Sequence, residues 1–156
     1  MALGVGGEAP PDRTHPVLGT LRGVPEGSFT SQVQVYPSED RTQRRVTVAR
    51  PFHMMRSEVT RGMWAAVMGE RPPAYGACGA DCPVTDVSPA EVEAFIAALS
   101  VRDGVHGYAG ATPYEKRGGS WFAGAHQATV FAHHPVAAGE ANDGLGFRLV
   151  VDAPGR

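Results

Sequence analysis

The sequence predicts a single α+β domain, with two short helices set among five or six strands and much of the chain in loops. Three observations predict it. Two segments carry helix caps and apolar residues at helical spacing, at 60–69 and 88–104. Three segments alternate with a period near two, at 28–36, 44–48 and 145–151. The chain carries 20 Gly and 13 Pro, which punctuate it with turns and leave little room for long elements.

The strands come first in the argument. In SFTSQVQVY at 28–36, Phe29, Val33 and Val35 fall near a period of two. PSEDRTQ is a polar turn, and RRVTV resumes the alternation through Val46 and Val48, so an antiparallel hairpin is expected. Phe52 to Met55 then carries apolar side chains toward a core. LGFRLVV at 145–151 reads as a terminal strand that pairs with an early one, and Val130–Phe131 as a further short strand.

The first helix follows Thr60, whose hydroxyl can accept a free first-turn amide; Met63, Trp64, Val67 and Met68 make one face, and Gly69 ends it. The second opens on Ser88-Pro89-Ala90-Glu91, a capping box with proline at the first helical position. Val92, Phe95, Ile96 and Leu99 then mark its buried stripe, and Gly104 its limit. Residues 1–23, rich in Gly, Pro and Thr, read as a flexible N-terminal arm; 24–152 form the compact domain and 153–156 a tail.

Composition excludes several functions. With 156 residues, 42% hydrophobic and 19% charged, the chain is globular and long enough for one core. Fourteen Lys+Arg against 16 Asp+Glu give a net charge of −2, which disfavours a nucleic-acid partner. No apolar run is long enough for a membrane span. Residues 1–11 lack the basic region and apolar stretch of a secretory leader, which leans toward the cytoplasm. Cys78 and Cys82 lie four positions apart around Gly79, a spacing open to a disulfide or to two free thiols but not to a zinc knuckle. A disulfide would lean the other way, to an oxidising compartment.

Four segments together resemble the formylglycine-generating-enzyme, or sulfatase-modifying-factor, family. They are GSF at 27–29 with RRVTVARPFHMMRSEVTRGMWAAVMGERP, then CPVTDVSPAEVEAFIAALS, RGGSW at 117–121 and GFRLV at 146–150, in the family's order. The resemblance covers roughly 24–151 and implies a C-type-lectin-like fold with two short helices, small antiparallel sheets and much irregular loop. Pro89 stands where the family usually has Trp, and only 16 residues separate Ser100 from Arg117 where relatives carry several dozen more. That shortening should leave surface near 101–116 for a partner or a second copy to cover.

The catalytic members hold copper with two cysteines shortly after RGGS. Here that stretch, WFAGAHQATVFAHHPVAAGEANDG, has none, so the thiolate needed as Cu(I) ligand and redox partner is missing. No cofactor and no catalytic residue are assigned, and the chain leans away from being an enzyme.

Other chemistry is weaker still. His126, His133 and His134 lack any HxH or HExxH spacing, and adjacent histidines on a strand face opposite ways, so no metal is assigned to them. His53 reads as a structural core histidine. Ser120 in GGSWF is not a nucleophile elbow, and Gly118 and Gly119 are expected to let neighbouring backbone approach. Gly4 to Gly7 is no dinucleotide fingerprint. Arg148 is expected to pair with a carboxylate such as Glu58. Trp64, Phe95, Phe147 and Trp121 are expected in the core, whereas Phe122, Phe131 and Tyr108 could form an exposed patch.

By resemblance, the 122–143 loop is the ligand-facing surface, with Phe122, His126, Gln127, Thr129, Phe131, His133, His134 and Asn142 as ligand-binding candidates. The function expected is non-catalytic binding of a protein, glycan or small ligand. The alternatives are a structural subunit docking on a partner chain, in a homo- or hetero-oligomer, and a metal-dependent oxidase.

Overall fold

Among the described residues, nine strands are assembled by long-range pairing into two sheets, and two helices pack with them. The computed structural model describes residues 7–35, 41–69, 78–104, 108–109, 115–120, 122, 124 and 132–152. In chain order these hold β1 (Arg13–His15), β2 (Gly19–Val24), β3 (Gly27–Val35), β4 (Arg41–Val48), β5 (Phe52–Met55), α1 (Arg61–Met68) and α2 (Pro89–Asp103). The remaining strands are β6 (Tyr108–Ala109), β7 (Glu115–Arg117), β8 (Ala132–Pro135) and β9 (Val150–Asp152). The fold is α+β, with two helices and small, largely antiparallel sheets.

One sheet has the order β1-β2-β5-β9-β6 and is antiparallel throughout. The other has the order β4-β3-β8-β7, and its β3–β8 pair is parallel. The expected hairpin is β3–β4, in register from Gly27 opposite Val48 to Gln34 opposite Arg41. The expected pairing of the last strand with an early one is β9 on β5, with Met54 opposite Val150.

Both helices begin and end where their caps demand. Thr60 Oγ1 accepts from the Met63 amide at 3.2 Å, and Gly69 ends α1 at φ 75°. Ser88 Oγ accepts from the Glu91 amide, while Glu91 Oε2 accepts from the Ser88 amide at 2.7 Å; Gly104 ends α2 at φ 65°. At these C-termini only a residue tolerant of positive φ closes the helix without strain.

The buried stripe of α2 (Phe95, Ile96 and Leu99) meets Trp64 of α1, Leu21 of β2 and Met55 of β5 in one core. Trp64 stacks on Phe95 at 5.3 Å between ring centroids, and Phe147 meets both rings edge-on. Val101, on the other side of α2, is 84% exposed.

Four expectations change. Residues 13–24 are not a loose arm, because β1 and β2 form one end of the larger sheet and Leu18 and Leu21 are buried. Gly23 explains the docking: a Cβ there would strike the Pro10 carbonyl, so glycine lets residues 10–12 close over β2. The terminal strand is confined to β9; residues 145–149 run irregularly, with the Phe147 and Leu149 carbonyls accepting from the Val59 and Met55 amides. Gly118 and Gly119 adopt φ of 90° and 77°, and a Cβ on Gly118 meets nothing within 4 Å, so backbone sign, not close approach, requires glycine there. Tyr108 is part-buried and hydrogen-bonded rather than part of an exposed patch. The expected strand at Val130–Phe131 and the core position of Trp121 lie outside the described residues.

Candidate functional site

The start of α2, the chain around β7 and the irregular run before β9 converge on a cleft of about 710 Å³. Volumes of this order suit small-molecule or peptide ligands. Its apolar wall includes Val92 and Ile96 on α2, with Phe147 and Phe122. Phe122 is 60% exposed, a large apolar ring left in solvent at the mouth.

The polar rim is set by local geometry. Lys116 Nζ donates to Glu140 Oε1 at 2.9 Å, and Arg117 Nη2 donates to Glu115 Oε2 at 3.0 Å. The hydrogen bond from Lys116 holds the Glu140 carboxyl below the usual carboxylate range, so this carboxylate is charged near neutrality. Asn142 is fixed as a turn residue. Its Oδ1 accepts from the Gly144 amide at 3.1 Å and its carbonyl from the Asp86 amide at 3.0 Å, with Asp86 itself at φ 58°. The Asn142 carboxamide NH2 has no protein acceptor among the described residues and is available to a ligand.

Glu58 and Arg148 also line the cleft, and both are exposed. They do not form the expected ion pair: neither belongs to a salt bridge among the described residues. The reason is placement. Phe147 packs against the core and Leu149 is buried in it, whereas Arg148 between them is exposed. The Glu58 carboxylate lies against Gly146 instead.

Of the eight ligand-binding candidates, Phe122, His134 and Asn142 line the cleft. His133, next to His134 on β8, does not, and its Nδ1 is buried without a partner among the described residues. Successive strand residues face opposite ways, so the two rings are not brought to one point. His126, Gln127, Thr129 and Phe131 lie outside the described residues. Among the described residues no cluster of three or more His, Cys, Asp or Glu side chains could hold a metal. Sequence reasoning overlooked the wall supplied by α2 and the rim supplied by Lys116. The stripe Val92–Ile96 was read as core alone, although a helix near a cleft mouth can serve both.

Two other polar sites are structural. His53 is 2% exposed, and its Nε2 donates to the Pro11 carbonyl at 3.1 Å, as expected of a core histidine, while Nδ1 has no partner. His15 Nδ1 accepts from the Val17 and Leu18 amides, so the ring proton sits on Nε2 and is donated to Asp103 Oδ2 at 2.9 Å. Tyr108 donates to the same oxygen at 2.7 Å, tying β1, α2 and β6 together. The Tyr108 phenol is pushed well above its usual range, by burial first and then by the bond to Asp103.

Cys78 and Cys82 form a disulfide. The Cys82 and Ala80 carbonyls accept from the Arg61 and Gly62 amides at 2.9 and 2.8 Å, and the Cys78 carbonyl accepts from Arg61 Nη1. The bridged loop therefore occupies the free donors at the start of α1.

No family model matches the sequence. No curated protein matches it either. Among solved structures, the chain is similar to PvdO from Pseudomonas aeruginosa, with a TM-score of 0.72 at 14% identity over 94% of this chain and 100% of that one. It shares that fold. A partial similarity, TM-score 0.48 at 26% identity, extends to Treponema denticola variable protein 1, over 64% of this chain and 38% of the other. Among the described residues no helix is long and apolar enough to cross a membrane.

Proposed function

We propose that this chain is a non-catalytic recognition module built on a C-type-lectin-like scaffold of the sulfatase-modifying-factor type, taking its ligand in the cleft beside Phe122. The family reading is supported by the order of the four sequence motifs. It is further supported by the contact of two of them: in EVT and GFR, the Val59 amide donates to the Phe147 carbonyl at 2.9 Å. The observation that carries the recognition reading is the cleft itself, a volume of about 710 Å³ with an apolar wall, an exposed aromatic ring and a polar rim. Aromatic and amide groups at such a mouth suit adaptable binding.

Copper oxidase chemistry does not fit the residues present. It requires two thiolates at the reacting centre, and the chain's only two cysteines are bonded to each other in the loop beside α1, neither lining the cleft.

The test is amide chemical-shift mapping of the full chain with a mixture of small fragments and oligosaccharides. Shifts concentrated at Ser120, Phe122, Asn142 and Gly146 are expected. No response at these positions overturns the reading, as does oxygen consumption by copper-loaded protein offered a cysteine-containing peptide.

A further inference from the structure

The charges of the cleft are not all neutralised within it. Lys116 is matched by Glu140 and Arg117 by Glu115, whereas Glu58 and Arg148 are ionisable side chains of opposite sign, both exposed and unpaired among the described residues. The Glu58 carboxylate rests on Gly146, and Arg148, two residues further along the chain, lines the same cleft. Between and beside them stand the apolar wall of Val92, Ile96 and Phe122 and the unused NH2 of Asn142.

We propose that the cleft binds a short peptide through both of its charged ends, the terminal ammonium on Glu58 and the terminal carboxylate on Arg148. The inference rests on the recognition reading and adds the class of ligand. A short peptide carries both charges on one ligand, so it meets two oppositely charged groups that line one cleft. Its side chains would lie on the apolar wall, and a backbone carbonyl would accept from Asn142. A planar guanidinium grips a carboxylate through paired hydrogen bonds, and a carboxylate accepts well from an ammonium, so each end is read by the group suited to it. A simple anion would leave Glu58 unmatched, and a neutral glycan would leave both charges unused.

The experiment is calorimetric titration of the full chain with the tripeptide Leu-Ala-Leu and with its N-acetylated and C-amidated forms. The free peptide is expected to bind with one-to-one stoichiometry, and each capped form about tenfold or more weakly, as loss of a charged hydrogen bond requires. Glu58→Gln should abolish the penalty for acetylation while keeping that for amidation, and Arg148→Gln should do the reverse. Both side chains are exposed, and near-ultraviolet circular dichroism verifies that the variants are folded. Equal binding of free and capped peptides overturns the proposal, and so does absence of binding by the free form. If peptides fail while the fragment mixture still shifts Phe122 and Asn142, the zwitterion assignment falls and recognition stands. If neither responds, both fall.

Discussion

The Glu58 carboxylate and Gly146 lie closer than any side chain at 146 would permit: a Cβ there would come within 2.8 Å of Glu58 Oε1. Gly23 makes a similar approach to the Pro10 carbonyl, and the two glycines separate flexible from rigid neighbours. Glu58 is exposed and its carboxylate can swing aside, so Gly146→Ala should change stability by no more than about 0.5 kcal/mol. The backbone at Pro10 cannot move without undocking the chain over β2, so Gly23→Ala should cost about 1–3 kcal/mol. Urea unfolding of both variants checks the contrast, and equal losses would refute it.

The disulfide loop supplies carbonyl acceptors to the first turn of α1 through Ala80 and Cys82. Replacing Cys78 and Cys82 together by alanine should lower stability by about 2 kcal/mol, the loop-closure value for so short a ring. Amide exchange should accelerate first at Arg61 and Gly62, before it does at Phe95 or Leu99. Uniform acceleration throughout the core would show that the loop is not a local clamp.

Elements with self-contained signals were legible in the sequence. The Thr60 N-cap, the Ser88 capping box, both glycine stops and the β3–β4 hairpin follow from residues close in the chain, and the core positions of Trp64, Phe95 and Phe147 from their spacing. Elements made by pairing were not. In β2 only Leu21 is buried, so no alternation announces the strand; its order comes from β5, with Leu21 opposite Met55. The run at 145–149 alternates as a strand does, yet the Phe147 carbonyl bonds the irregular chain at Val59 and only the Leu149 carbonyl reaches β5, at Met55. For the cleft, Phe122, His134 and Asn142 were found through the loop that carries them. Glu58 and Arg148 were singled out as a pair, but an ion pair was the wrong relation. Glu58 rests on Gly146 instead, and Phe147 and Leu149 pack in the core on either side of exposed Arg148, a long-range arrangement that no local pattern encodes.

Tyr108 makes alkaline stability depend on one phenol. Its folded pKa is raised above the unfolded value near 10, by burial and by the bond to Asp103. The native state therefore holds the proton more tightly, and its contribution is complete below about pH 10 and falls as pH rises further. Tyr108→Phe removes both the titration and the hydrogen bond. The variant should be less stable at pH 7, by about 1 kcal/mol, and should lose stability less steeply above pH 10. Thermal melts between pH 7 and 11 measure both limbs, and parallel curves would contradict the linkage.

Glu91 does the opposite at acid pH, and at a place that bears on the cleft. Hydrogen bonds from the Ser88 amide and then the Ser88 hydroxyl lower its pKa below 4.5. A depressed carboxylate contributes stability that is present above the unfolded pKa and is lost as pH falls through the folded one. Glu91 is exposed, so solvent screening keeps the effect small and confines it to the start of α2. That start carries Pro89, Val92 and Ile96 into the cleft. Ser88→Ala should cost about 1 kcal/mol at pH 7 through loss of the cap. Glu91→Gln should keep the fold near neutrality and flatten the decline below pH 4.5. The protection factor of the Val92 amide, its exchange rate relative to the intrinsic rate at each pH, should fall in the wild type from pH 6 to pH 3 as Glu91 protonates and stay level in Glu91→Gln. An equal fall in both would place the acid-sensitive step elsewhere than this cap.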